Sequence, residues 1–125
     1  MFNHLTIGAS DIERSRRFYD ALFAAIGGPA AQDDPKGRLV YRHEGGVLVV
    51  GKPINGEPPT VANGNTIGFK VATAAMVEAW HAAGCEHGGV SAEDPPGPRS
   101  SPFGEMYLAY LRDPDGHKLC AVCWL

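Results

Sequence analysis

Apolar and polar residues alternate from Phe2 to Gly8, with Leu5 and Ile7 on one side of an extended chain and His4 and Thr6 on the other. That period of two predicts a strand with one face against a core. Ser10-Asp11-Ile12-Glu13 follows in capping-box form, a hydroxyl with a glutamate three residues on, and opens a helix. Its core face is expected at Ile12, Phe18 or Tyr19, Leu22 and Ile26, and its solvated face at Arg14, Arg16, Arg17 and Asp20. Gly27-Gly28-Pro29 ends it. Residues 30–37 read as loop. Arg38 to His43 and Val47 to Lys52 read as a hairpin about Gly45-Gly46, a pair that accepts positive φ.

The stretch from Pro53 to Gly64 is rich in Pro, Gly and Asn and reads as a linker. Beyond it the pattern starts again. A strand over 65–71 precedes a helix capped by Thr73 and stopped at Gly84, and a weak strand is expected near 86–90. Residues 91–103 contain Pro95, Pro96, Pro98 and Pro102 and read as loop. A closing hairpin pairs Met106–Arg112 with His117–Trp124 across Asp113-Pro114-Asp115-Gly116, where proline presets φ and glycine supplies the left-handed position.

The second half repeats the first: Leu5 matches Ile67, Ile7 matches Phe69, and Phe18 matches Trp80. Each strand–helix–strands unit covers one sheet face with its helix and leaves the other bare. Two units are therefore expected to frame a trough, module 1 spanning about residues 1–55 and module 2 about 65–125 of one domain. The trough side of the strands carries His4, Thr6, Thr66, Gly68, Cys120 and Val122. Where the first half presents His4, the second presents Thr66.

Composition narrows the possible partners. The 125 residues carry a formal net charge of −3 and no basic stripe, which argues against nucleic acid or an anionic membrane as partner. No apolar run approaches the ~20 residues of a membrane helix. Residues 1–8 read as a strand, so no secretion signal is expected. Three cysteines, an odd number, fit reduced thiols in a cytoplasmic protein.

Asn3-His4-Leu5-Thr6-Ile7, with Ser10-Asp11, Ser15 and Phe18-Tyr19, resembles the first motif of the vicinal oxygen chelate superfamily. Asp113-Pro114-Asp115-Gly116-His117-Lys118-Leu119 resembles its closing motif. That superfamily includes glyoxalase I, fosfomycin-resistance transferases, bleomycin-binding proteins and extradiol dioxygenases. The resemblance implies an α+β fold of paired βαβββ modules, with a cupped mixed sheet, helices outside it, and a homodimer that binds a small molecule. The modules pair within one chain or swap between two.

It also implies where a divalent metal would sit. The family's ligand places correspond to His4, Thr66 and Cys120, with a further carboxylate in some members near Val49–Gly51. Here only His4 is retained. Thr66 is a poor ligand because its hydroxyl is not ionised near neutral pH. Cys120 as thiolate would favour zinc. One imidazole and one thiol fall short of the three protein ligands of a catalytic zinc, so a trough without a cofactor is expected, with a non-standard zinc site on His4 and Cys120 as the alternative.

The candidate catalytic residues are His4, as general base or hydrogen-bonded cavity histidine, Thr6 on the same strand face, and Cys120, as nucleophile or inert buried thiol. Cys120 and Cys123 are three apart on a strand and face opposite ways, which argues against a redox pair. Candidate ligand contacts are Thr66, Tyr107, Tyr110, Arg112 and Arg99, each with packing or solvation as its alternative. His43, His81, His87 and His117 receive no role. Three functions follow: a metal-free small-molecule protein (a sequestering module, or a lyase or isomerase with His4 as base); a metal-dependent glyoxalase-type lyase or thiol transferase; and a non-enzymatic drug-binding protein.

Overall fold

A computed structural model describes residues 1–125. The chain runs β1 (Leu5–Gly8), α1 (Ile12–Ala24), β2 (Gln32–Asp33), β3 (Leu39–His43), β4 (Gly46–Gly51), β5 (Ile67–Lys70), α2 (Ala74–Glu86), β6 (Val90–Ser101), β7 (Gly104–Arg112) and β8 (Lys118–Trp124). Two four-stranded sheets result, in the orders β1-β4-β3-β2 and β5-β8-β7-β6. In each, the first strand of the module pairs in parallel with its last, and the other pairs are antiparallel. The α+β architecture expected from the repeat is present. Neither helix is long and apolar enough to cross a membrane.

The two helix-covered faces share one core. Phe18, Tyr19, Leu22 and Phe23 of α1 join Leu39, Tyr41, Leu48 and Val50 of the first sheet and Val77, Trp80, Leu111, Leu119 and Ala121 of the second module in a single cluster. Phe23 stacks on Tyr41 at 4.7 Å and meets Phe69 edge-on at 5.8 Å, so α1 reaches across the seam. Phe18 and Trp80, the matched pair of the repeat, are both fully buried. Pressing the helix faces together leaves the other face of each sheet pointing away from the core. His4, Thr6, Arg42, Thr66, Gly68 and Lys70 are accordingly exposed.

A polar clasp locks the halves. The Tyr19 hydroxyl donates to Asp113 Oδ2 at 2.6 Å, and Asp113 Oδ1 accepts from the amides of Asp115 and His117. Burial first, and then the neighbouring Asp113, keep the Tyr19 phenol protonated well above its usual range. His117 Nε2 lies 2.7 Å from the Gly8 carbonyl, which can only accept, so that nitrogen carries the proton. Ser10 and Arg14 both bond Asp115. His117, given no role from sequence, thus ties the closing turn to the end of β1.

Several local expectations are corrected. Asp11, not Ser10, caps α1 by accepting from the Arg14 amide, while Ser10 is drawn away to Asp115. Asp20 is not on a solvated face: it accepts from the Tyr41 hydroxyl and the Ala31 amide. The first hairpin turns on Glu44-Gly45, with φ of 50° and 80°, one residue earlier than expected. Residues 32–33 form a short strand inside the expected loop.

The helix α2, capped by Thr73 as expected, runs past Gly84 to Glu86. Gly84 faces Leu111 and Leu22, where a Cβ would collide with the Leu111 side chain. The glycine therefore permits close helix–sheet approach and does not end the helix. No strand forms at 86–89. The proline-rich stretch is a strand after all: Val90–Ala92 and Gly97–Ser101 pair with β7 on either side of a bulge at 93–96. Pro95 and Pro96 fall in the bulge, and Pro98 sits on an edge strand whose outer side needs no donor.

Candidate functional site

Strand parity divides the second sheet cleanly. Leu119, Ala121 and Cys123 of β8 and Ala109 and Leu111 of β7 belong to the core. Register then puts Cys120, Val122, Leu108, Tyr110 and Arg112 on the open face, with Gly68 and Lys70 of β5 and Ala92, Gly97 and Arg99 of β6 beside them. Of the residues expected in the trough, Tyr110, Arg112, Arg99, Gly68, Cys120 and Val122 are therefore together. Tyr107 is not with them: it lies on the helix side, where its hydroxyl bonds Glu78 of α2. Thr66 is exposed just before β5. Cys123 donates toward the Ala72 carbonyl on the core side, so the two cysteines do face apart.

The centre of this face is charged and partly buried. Lys118 pairs with Glu93 from the bulge, and its Nζ stands 5.0 Å from the centre of the Tyr110 ring. Arg99 donates to the carbonyls of Pro95 at 2.8 Å and Pro98 at 3.2 Å. Burial raises the Tyr110 phenol above its usual range, and the neighbouring Cys120 and Glu93 add to that, against the opposing pull of Lys118 and Arg99. Cys120 is 7% exposed. A Cβ on Gly68 would sit 3.5 Å from its sulfur, so the missing side chain leaves room beside the thiol.

The first sheet contributes the expected pair His4 and Thr6. The His4 Nδ1 lies 2.8 Å from Asn3 Oδ1. With the amide oxygen in that position, Nδ1 carries the proton and Nε2 is left as an exposed acceptor. A cavity of about 240 Å³ opens at the seam, and His4 and Gly68 line it together with Phe23, Tyr41 and Lys70. Thr6 lines a second hollow with His117 and Lys118. His4 lines this cavity and Cys120 does not, although its sulfur lies beside Gly68, which does.

A divalent metal does not fit this donor set. No three His, Cys, Asp or Glu side chains of the chain are grouped to hold an ion. Loss of water from around the sulfur, reinforced by Glu93, pushes the Cys120 thiol up to about 11, against an ordinary 9.0. Desolvation thus opposes the thiolate that a ligand or a nucleophile requires. The sign for stability follows. The neutral thiol is the form the fold favours, so its contribution is complete below pH 9.0 and is lost as pH climbs toward 11. Thiol titration at pH 8 is expected to find only the exposed Cys85 reacting fast in the native chain, and Cys120 and Cys123 reacting once denaturant is added. Fast modification of Cys120 at pH 8 would contradict the buried, protonated thiol.

The chain's relatives agree with this architecture. Residues 1–121 match the model of the Glyoxalase/Bleomycin resistance protein/Dioxygenase superfamily. A crystal structure of a glyoxalase/bleomycin resistance protein from Albidiferax ferrireducens is 44% identical, with 98% of each chain covered and a TM-score of 0.95. A glyoxalase-related enzyme from Fulvimarina pelagi is 24% identical over 96% of this chain and 86% of its own, at a TM-score of 0.71. The fosfomycin resistance protein FosX from Mesorhizobium loti is 16% identical over 100% and 92%, at 0.68. The last two attest the fold alone. No functionally curated protein matches the sequence. Its duplicated modules, its two terminal motifs and a match spanning nearly every residue carry one conclusion: the chain belongs to the Glyoxalase/Bleomycin resistance protein/Dioxygenase superfamily.

Proposed function

We propose that this chain binds a small molecule in a trough lined by the open sheet faces, closed by pairing with a second copy, and that it does so without a three-ligand metal centre. The carrying observation is that the helix faces are consumed in one shared core, while the open faces are uncovered and the outer edges of β1 and β5 pair with no other strand of the chain. Exposed strands with half-buried apolar neighbours such as Val47, Val49, Tyr110 and Val122 are surfaces that assembly or ligand would cover. A swapped pairing, with module 1 of one copy beside module 2 of the other, would bring His4 and Thr6 opposite Tyr110 and Cys120.

The hydrogen bond between Asn3 and His4 favours a catalytic version of this reading over pure sequestration. An amide that holds the Nδ1 proton leaves Nε2 free to take a proton from a bound substrate. The chemistry available is then proton abstraction, as in a lyase or isomerase. The contrary reading, a metal-dependent lyase or thiol transferase, finds its weakest point at Cys120.

Light scattering joined to elemental analysis tests both parts. The expected result is a mass of two chains, with zinc and manganese far below one equivalent per chain. A monomer at all working concentrations would remove the closed trough. A full equivalent of metal, lost in His4→Ala, would restore the metal-dependent reading.

A further inference from the structure

We propose that the open face of the β5–β8 sheet is an anion-recognition surface, on which Lys118 takes a carboxylate or phosphate group of the ligand in the place now held by Glu93, with Arg99 on the same face as the second cation. The proposal rests on the trough reading and names the class of ligand.

The charge pattern carries it. Among the paired strand positions of this face, Lys70, Arg99, Arg112 and Lys118 are basic and none is acidic. That imbalance lies in a chain whose net charge is −3. Arg99 has no carboxylate partner. Instead two backbone carbonyls, Pro95 and Pro98, fix its guanidinium. A guanidinium has five N–H donors, so a held arginine with unspent donors is prepared for a planar anion.

The one carboxylate bonded into the face arrives in an unusual way. Glu93 sits in the bulge with φ of 56°, a left-handed conformation that a glutamate adopts at a cost. Its side chain is 47% exposed where it meets Lys118, and ion pairs that wet are weak. Glu93 is therefore a displaceable stand-in for an anion. When it leaves, Lys118 remains positioned over the Tyr110 ring by cation–π attraction. Asp94, next to it in the bulge, forms no ion pair. Beneath the charges, Leu108, Val122 and the space beside Gly68 offer an apolar floor. The ligand class is a small anion with an apolar body.

Amide-resolved titration of the full-length protein with phenyl phosphate, benzoate and neutral benzyl alcohol tests this. Both anions should shift the Tyr110 and Cys120 amides saturably, and benzyl alcohol should do so far more weakly. Losing one charge-assisted contact in Arg99→Gln should raise the Kd of phenyl phosphate by about 10-fold or more. Glu93→Gln should lower it, a gain that a purely structural ion pair would not produce. An unchanged Kd in both Arg99→Gln and Lys118→Gln would overturn the proposal. Equal shifts with benzyl alcohol would end the charge argument and leave the trough standing. Silence from all three probes on both open faces would end both.

Discussion

Asp113→Ala is expected to destabilise the protein by about 3–5 kcal/mol, since each buried polar group left unpaired costs roughly 1–3 kcal/mol. The carboxylate is 4% exposed and accepts three hydrogen bonds: from the fully buried Tyr19 hydroxyl and from the amides of Asp115 and His117. Alanine strands all three donors and loosens the closing turn together with the His117 bond to Gly8. Tyr19→Phe removes a single bond from the same network and leaves Asp113 its two amides, so it should cost only about 1–2 kcal/mol. Urea unfolding measures both. Equal losses in the two variants would show that the clasp acts through the Tyr19 bond alone.

Trp80→Ala should cost a comparable ~3–5 kcal/mol, the usual range for truncating a buried aromatic. Trp80 is fully buried and packs on Phe69 at 5.8 Å. Trp80→Phe should be far milder, for a reason beyond size: the indole N–H is buried without an acceptor. Phenylalanine removes that orphaned donor while keeping most of the ring surface. If the phenylalanine variant falls as far as the alanine one, ring volume alone governs this position. Neither substitution touches an open face, so ligand binding by the folded fraction should persist.

Much of this was legible because short-range chemistry has few solutions. Thr73 capped its helix, and the Asp113–Gly116 turn formed as its residues demand. Alternation placed Cys120 and Cys123 on opposite faces. The same arithmetic separates Tyr107 from Tyr110, three apart on β7, so only one of these two candidate ligand contacts can face the open side. What escaped the sequence was set by distant partners. Ser10 left its helix for Asp115, which lies 105 residues away. Gly84 looked like a stop until Leu111 packed on it. The prolines of 91–103 suppressed a strand that survives by bulging. Ser10 and Gly84 answer to contacts that local spacing does not encode. For the candidate site, parity marks the open face, while the roles of Glu93 and Asn3 depend on the fold of the bulge and of the chain just before β1, which local spacing does not encode.

The outer rims of both sheets are poor templates for another chain. At one, β2 is only two residues long. At the other, β6 carries prolines that deny amide donors and a kink that breaks its line. Such blunting is how β proteins avoid unlimited growth by strand addition. It leaves β1 and β5 as the edges fit for main-chain hydrogen bonding, and residues of both line the cavity of about 240 Å³. In the proposed pairing of two copies, these edges would be the place for such bonding, and fibre-like stacking at the outer rims is denied a starting point.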